Sequence, residues 1–267
     1  MVSPAQTFAR MVTALAVAGA LGCSPGVDDY TSEAADSVET TVHEGALLVA
    51  AYDPARWDAT RADRIAVIAA GAVARARLSY RPASCVTATA NGATVTYEFV
   101  SCNGGVGLRN INGRLTLTFG TAANNATVRM ASTGLVIDGA RLNFDADAVF
   151  TAAAGVVQMQ VNSNSAGRGA RGVNFSRRGR YAVRWEPVPD ACYQLDGQWD
   201  NTLGLRRTST QVTDFRRCAS RCPQPGGRVV YSQASGATLT ITFPGGVNAQ
   251  WQSSAGRSGL LPLDCEN

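Results

Sequence analysis

From residue 82 onward, hydrophobic and polar residues alternate in short runs, the pattern of β-strands with one buried face. The clearest runs are Thr94-Val-Thr-Tyr-Glu-Phe99, Leu115-Thr-Leu-Thr-Phe119, Val157-Gln-Met-Gln-Val161 and Thr238-Leu-Thr-Ile-Thr242. Gly, Asn and Ser separate the runs, as turns require. Alternation of this kind is typical of antiparallel sheets with one solvated face. We therefore predict a mainly β protein whose antiparallel sheet or sheets form a sandwich or a curved meander.

A short helical segment is predicted before the strands. Ala34, Val38 and Val42 recur at near-helical spacing, which gives a weak helix from about residue 32 to residue 52, after a polar tether that begins at residue 24. Asp53-Pro54 resembles an N-cap followed by proline at the first helical position, and a better amphipathic helix follows it. The predicted division of the chain is 1–22 signal peptide, 23–52 tether and weak helix, 53–80 amphipathic helix, 81–163 first antiparallel β unit, 164–180 Gly- and Arg-rich loop, and 181–267 disulfide-stapled β unit.

The first 22 residues have the organisation of an export signal. Arg10 precedes an apolar run from Met11 to Leu21, which has signal-peptide length and is too short to span a bilayer. Ala20-Leu21-Gly22-Cys23 resembles the lipobox of bacterial lipoproteins. That resemblance implies cleavage before Cys23, lipid on its thiol and attachment to a membrane; the alternative is an ordinary secretory signal. Ser24 after the cysteine, in the Gram-negative lipoproteins that this segment resembles, favours the outer membrane.

Six cysteines remain after Cys23, and an even number in an exported chain indicates disulfides. A hairpin centred near Gly204 and Leu205 brings Cys192 opposite Cys218. The predicted pairs are Cys192–Cys218, Cys222–Cys265 and, by elimination, Cys85–Cys102.

The third pair carries a difficulty. A tight turn at Asn91-Gly92 places Cys85 opposite Glu98 rather than Cys102. Either that turn is wider or the strand bends after Phe99.

Composition removes several classes of enzyme. All 24 basic residues are arginine, so a P-loop lysine, a Ser-x-x-Lys acyl enzyme and a Schiff-base lysine are excluded. The one histidine, His43, excludes zinc sites with two or three histidine ligands. The net charge of +4 is too small to indicate nucleic acid as a partner. We predict no catalytic residue, no metal site and no cofactor.

Two weak binding candidates remain. One interpretation of Asp196, Trp199 and Asp200 is a sugar-binding site in which the indole stacks on the sugar ring. The other is that Trp199 covers the Cys192 disulfide, and we favour this second interpretation. The second candidate is a group of arginines that can meet an anionic envelope partner such as lipid phosphate, or can belong to a solvated loop. Its central members are Arg177, Arg178 and Arg180.

Other candidates are weaker still. Asp145 and Asp147 share one face of a strand, either as paired carboxylates or as two acids on a solvated face, which we favour. His43 is expected to be a surface or packed residue. The aromatic residues Phe99, Phe119, Phe144 and Phe150 line either a core or a cavity.

The lipobox, Cys192, Trp199 and the segment from Cys218 to Gly227 together resemble uncharacterised lipoproteins of GC-rich Gram-negative bacteria, myxobacterial ones in particular. The resemblance implies a compartment and no activity. We therefore expect a non-enzymatic, lipid-anchored binding or structural module of the outer membrane, with a protein, glycan or anionic envelope partner. The alternatives are a carrier of an apolar ligand in a curved sheet and a carbohydrate-binding or carbohydrate-active β protein.

Overall fold

The computed structural model describes residues 27–52, 65–105, 107–123, 125–153, 155–170, 172–186, 192–218, 222–263 and 265. The predicted signal peptide and Cys23 lie outside these residues, as do residues 53–64 at the start of the predicted amphipathic helix. Within the described residues, two α-helices precede the strands: α1 (Val27–Ala50) and α2 (Ile65–Ser79).

The strands are β1 (Tyr80–Arg81), β2 (Val86–Asn91), β3 (Thr94–Gly104), β4 (Ile111–Ala122), β5 (Asn125–Ser132), β6 (Leu135–Ile137), β7 (Ala140–Asn143), β8 (Asp145–Ala153), β9 (Val156–Arg168), β10 (Asn174–Trp185), β11 (Cys192–Leu203), β12 (Arg206–Cys218), β13 (Arg228–Gln233), β14 (Thr238–Thr242), β15 (Asn248–Ser253) and β16 (Ser258–Pro262).

The described strands form one antiparallel sheet, which confirms the mainly β fold and selects the meander over the sandwich. Consecutive strands pair in order through most of the sheet, from β3 to β5 and from β8 to β16. The β6–β7 hairpin is the exception, since β6 pairs with β4 and β7 pairs with β9. This hairpin therefore lies between β4 and β9 and continues the sheet past the point where β5 and β8 end.

The two helices cover one face of the sheet, here called the inner face. The hydroxyl of Tyr97 on β3 donates a hydrogen bond to the carbonyl of Ala72 on α2, at 3.2 Å. Helix α1 crosses strands β13 to β8: Glu33 near its start contacts Tyr231, and Tyr52 just beyond its end stacks on Phe150. The buried apolar residues of both helices and of the inner face form one core. Among the described residues, no helix has the length and hydropathy needed to cross a membrane.

The sheet curves around α1. Six strand steps separate β4 from β12 in the sheet order, which in a flat sheet is about 29 Å at about 4.8 Å per step. However, a Cβ placed on Gly107, in the loop between β3 and β4, lies only 3.0 Å from Nη1 of Arg217 on β12. The sheet must therefore bend back across the helix, as the predicted curved meander requires.

All three predicted disulfides are present: Cys85–Cys102, Cys192–Cys218 and Cys222–Cys265. Cys192 and Cys218 are direct cross-strand partners. For Cys85–Cys102, the predicted turn at Asn91-Gly92 is wrong by one residue, because Asn91 pairs with Thr94 and the tight turn is Gly92-Ala93. The second alternative, a bend after Phe99, is confirmed, because the register of β3 shifts between Phe99 and Cys102 and Ser101 has a φ of 51°. The later turn and the one extra residue of this bulge together bring Cys102 to Cys85.

Two predicted boundaries are wrong. The segment 164–180 is not one loop, because β9 continues to Arg168 and β10 begins at Asn174. The tether does not reach residue 32, because α1 begins at Val27. Both errors have the same cause: polar residues in these segments occupy positions at which a helix or strand pattern would have apolar residues.

Candidate functional site

A buried carboxylate joins α1 to the sheet. Glu44 has no solvent exposure and lies 3.0 Å from Nη2 of Arg177 on β10, which is 3% exposed. Ser163 and Ser165 of β9 donate hydrogen bonds to the same carboxylate oxygen at 2.9 and 2.5 Å, and Tyr181 of β10 donates to the other at 2.9 Å. The charge is thus paired and its oxygens are hydrogen-bonded, as burial of an ion requires.

The phenol of Tyr181 serves this cluster as a donor. Burial raises the pKa of Tyr181 well above its usual value, and the Glu44 carboxylate raises it further, against the opposing effect of Arg177. Tyr181 therefore remains protonated at neutral pH and keeps its hydrogen bond to Glu44.

A second polar network lies about two turns nearer to the start of α1, at Ser37. The Trp199 indole donates to Oγ of Ser37 at 2.7 Å, and Ser37 donates to Oδ1 of Asn201 at 3.1 Å. The amide of Asn201 donates to Thr210 at 3.1 Å. Arg177 connects the two networks, because its guanidinium carbon lies 5.7 Å from the centre of the Trp199 ring.

Three members of these networks, Ser37, Arg177 and Asn201, form the floor of a cavity of about 340 Å³ between α1 and the sheet, here called the α1 pocket. Its volume lies within the range of small-molecule sites. Its helical side is one face of α1, with residues at spacings of three and four. The pocket is lined by Glu33, Asp36, Ser37, Thr40, Gly169, Val173, Phe175, Arg177, Asn201, Leu203, Arg206 and Tyr231.

The wall of the pocket is apolar. Phe175 on β10 and Leu203 on β11 are direct cross-strand partners on the inner face, and both remain partly exposed. Val173, in the β9–β10 connection, is 43% exposed beside them. At the rim, Glu33 is ion-paired with Arg206 and accepts a hydrogen bond from Tyr231 at 3.0 Å.

A third polar group lies on the other side of α1. Oε1 of Glu39 is 3.1 Å from Nε2 of His43 and 3.5 Å from Nη1 of Arg217. Burial acts to raise the pKa of Glu39, but His43 and Arg217 outweigh it, and the pKa is lowered. His43 is thus a packed residue, one of the two placements expected for it, and it contacts the ion pair of Glu39 and Arg217.

The six candidate binding residues do not form one site, because the β-pleat sends them to opposite faces. Arg177 and Trp199 point to the inner face and are buried, with Trp199 4% exposed. Trp199 therefore neither stacks on a sugar nor covers the Cys192 disulfide, and it lies beside Ser37 instead. The remaining members lie on the opposite, outer face: Arg178, Arg180, Asp196 and Asp200.

The outer face is polar across β8 to β13 and has a shallow depression of about 890 Å³. Arg180 is flanked by Asn162 and Gln198 on the adjacent strands, so hydrogen-bonding side chains run across the sheet as a ladder. Asp145 and Asp147 share this face, as predicted, and both pair with exposed Arg129, at 2.7 and 3.4 Å. This arrangement matches the favoured interpretation of two acids on a solvated face.

The four phenylalanines considered for a cavity lie in the packed core with exposures of 4% or less. Phe99 packs edge-on against Tyr80, with ring centres 4.9 Å apart, and Phe150 against Trp185 at 6.2 Å. The α1 pocket is at a different place, and these rings do not line it.

Sequence reasoning missed the residues that build the site: Ser37, Glu44, Asn201 and the serines of β9. These residues are visible in the sequence as polar residues that interrupt the hydrophobic pattern of a helix or strand. Glu44 interrupts the apolar stripe of α1, and Ser163 and Ser165 continue the inward-facing series of Val157, Met159 and Val161.

Among the described residues, no group of three or more His, Cys, Asp or Glu side chains is placed to hold a metal ion. No protein-family model, curated protein or solved structure matches this chain.

Proposed function

We propose that the protein is an exported, lipid-anchored binding module of the cell envelope that catalyses no reaction, and that its ligand occupies the α1 pocket. The observation that carries this proposal is the architecture of the pocket. It combines a partly open volume with an apolar wall and a floor of polar groups that are held by one another.

The arrangement of these groups favours binding over catalysis. The carboxylate of Glu44 and the guanidinium of Arg177 are bonded to each other and to hydroxyls, so neither is positioned to exchange protons with a ligand. Glu33 at the rim is likewise held by Arg206 and Tyr231. Three disulfides favour an oxidising compartment, in agreement with export.

The lipid anchor is proposed from the lipobox and has a separate test. Cells that express the full chain are labelled with radioactive palmitate, and Cys23→Ser serves as the control. Wild-type protein is expected to carry the label and to sediment with membranes, whereas the variant carries none. Equal labelling of both would refute the anchor.

The binding proposal is tested by native mass spectrometry of the mature chain with Cys23→Ser, exported to a periplasm. The expected spectrum shows three disulfides and a retained small molecule. Leu203→Asp places a charge in the pocket wall and should remove that molecule, while Thr202→Asp, on the opposite face of the same strand, should not. A ligand that is retained equally by both variants would refute the assignment of the pocket.

A second candidate function is carbohydrate binding on the outer face. The polar ladder across β9 to β12 favours it, because alternating donors and acceptors suit a hydroxyl-rich ligand. Arg180→Ala and Gln198→Ala should then weaken binding to a glycan without effect on the retained molecule of the α1 pocket.

A further inference from the structure

The floor of the α1 pocket indicates what kind of ligand it takes. The polar atoms of Ser37, Asn201 and Tyr231 already have partners within the protein. A ligand that depends on many hydrogen bonds would therefore find these groups engaged. An aliphatic chain instead leaves every one of these bonds intact, and it gains contact with the wall formed by Phe175 and Leu203.

The position of the pocket indicates where such a chain comes from. The pocket lies at the end of the sheet where β9 and β10 meet and where β11 and β12 meet, since Arg168 pairs with Asn174 and Leu203 pairs with Arg206. We call this edge the hairpin end. Val173 and Leu205 are exposed there, and Leu205 is exposed completely.

Arginines flank these two apolar residues. Arg207 lies two residues after Leu205, and Arg168 precedes the β9–β10 connection; both are exposed, whereas Arg206, between Leu205 and Arg207, is paired with Glu33. Exposed apolar side chains beside arginines are suited to a bilayer surface, where the apolar groups enter the interface and the guanidinium groups meet phosphate.

The chain geometry places the proposed anchor near the same edge. Glu33 lies on α1 six residues after Val27, which is about 9 Å of helix. Cys23 precedes Val27 by four residues, which reach at most about 14 Å. The lipid on Cys23 is therefore within about 25 Å of the rim of the pocket.

We propose that the α1 pocket takes one acyl chain of a membrane phospholipid, which it receives while the hairpin end rests on the bilayer. The proposal rests on the proposed function, because it names the ligand of the same pocket. It assigns Phe175 and Leu203 to the acyl chain, and Val173 and Leu205 to the membrane surface.

The test uses the mature chain with Cys23→Ser, so that its own anchor does not contribute. The protein is incubated with vesicles of phosphatidylethanolamine and phosphatidylglycerol, separated by flotation, and analysed by native mass spectrometry. One phospholipid per protein is expected. Leu203→Asp should reduce the bound lipid at least tenfold, and Thr202→Asp should leave it unchanged. Because Leu203→Asp can disturb folding, Leu203→Ala and the circular dichroism spectrum of each variant accompany it.

Docking is tested separately with Leu205→Ser, which leaves the lining of the α1 pocket intact. Flotation with vesicles should fall at least fivefold, while Leu260→Ser, at an exposed leucine on β16, should have no effect. Equal flotation of the two would refute the hairpin end as the docking surface.

The outcomes separate the two proposals. Retention of a ligand that is not a lipid, lost in Leu203→Asp, would overturn the acyl-chain inference and leave the binding module standing. A correctly folded, oxidised protein that retains nothing from vesicles or from the periplasm would overturn both.

Discussion

The pair Glu44–Arg177 gives the sharpest prediction about stability. Glu44→Leu leaves the Arg177 guanidinium buried at 3% exposure without its carboxylate. Removing one partner of a buried ion pair costs about 3–5 kcal/mol of the free energy of unfolding. The hydroxyl of Tyr181 also loses its acceptor, which adds about 1 kcal/mol. We expect a loss of about 4–6 kcal/mol, a large part of the 5–15 kcal/mol typical of a folded protein.

The double variant Glu44→Leu/Arg177→Leu identifies the cause. Each single variant leaves an unpaired buried charge, whereas the double variant leaves none. Its destabilisation should therefore be smaller than the sum of the two single effects by at least about 2 kcal/mol. The control is Glu98→Ala, which removes the exposed partner of Arg114 and should cost less than about 1 kcal/mol.

The assay is urea unfolding of the oxidised protein, followed by circular dichroism and by tryptophan fluorescence. A loss for Glu44→Leu no larger than that for Glu98→Ala would refute the argument. So would a double variant whose destabilisation equals the sum of the two single losses, because the two charges would then be independent.

Two further predictions concern pH and the disulfides. The folded-state pKa of Glu39 lies below its ordinary value of 4.5, so its contribution to stability is complete above pH 4.5 and is lost as the pH falls through the lowered pKa. Unfolding curves between pH 7 and pH 3 should therefore show a smaller loss of stability on acidification for Glu39→Gln than for wild type. Identical losses in the two proteins would contradict this prediction. Replacing Cys222 and Cys265 together by alanine removes a bridge between residues 43 apart and should lower the free energy of unfolding by about 4 kcal/mol. The same change at Cys85 and Cys102, which are 17 residues apart, should lower it by about 3 kcal/mol. Equal midpoints in urea for both double variants and wild type would show that the bridges add no stability.

The sheet could be predicted from sequence wherever the inner face is apolar. Val95, Tyr97 and Phe99 alternate with polar residues because they face α2 and the core, and β3 is where the pattern expects it. The disulfide between Cys192 and Cys218 is predicted by a hairpin centred near Gly204 and Leu205. The two-residue turn there would place Cys192 opposite Arg217, and the register shift between Leu195 and Gly197 brings Cys218 to it.

The site could not be predicted in this way, because its inward positions are polar. On β9 the inward series changes from Val161 to Ser163 and Ser165, and on β10 Arg177 takes an inward place. Both faces of the sheet are then polar, and period-two analysis loses its signal. The reason for the change lies more than 100 residues away in sequence, at Glu44, and no local pattern contains it.

The same polar positions define the pocket by fixing where α1 lies on the sheet. Apolar contacts have little directional preference, so a helix that rests on them alone can slide with a modest change in energy. Ser37, Thr41 and Glu44 instead bind β11, β10 and β9 in turn, through Trp199, Arg177 and the two serines. Displacing α1 by one turn would break all three contacts and leave buried polar groups without partners, so the network fixes the register of the helix on the sheet. The cavity lies between this fixed face of α1 and the wall formed by Phe175 and Leu203, so its position follows from the register of the helix on the sheet.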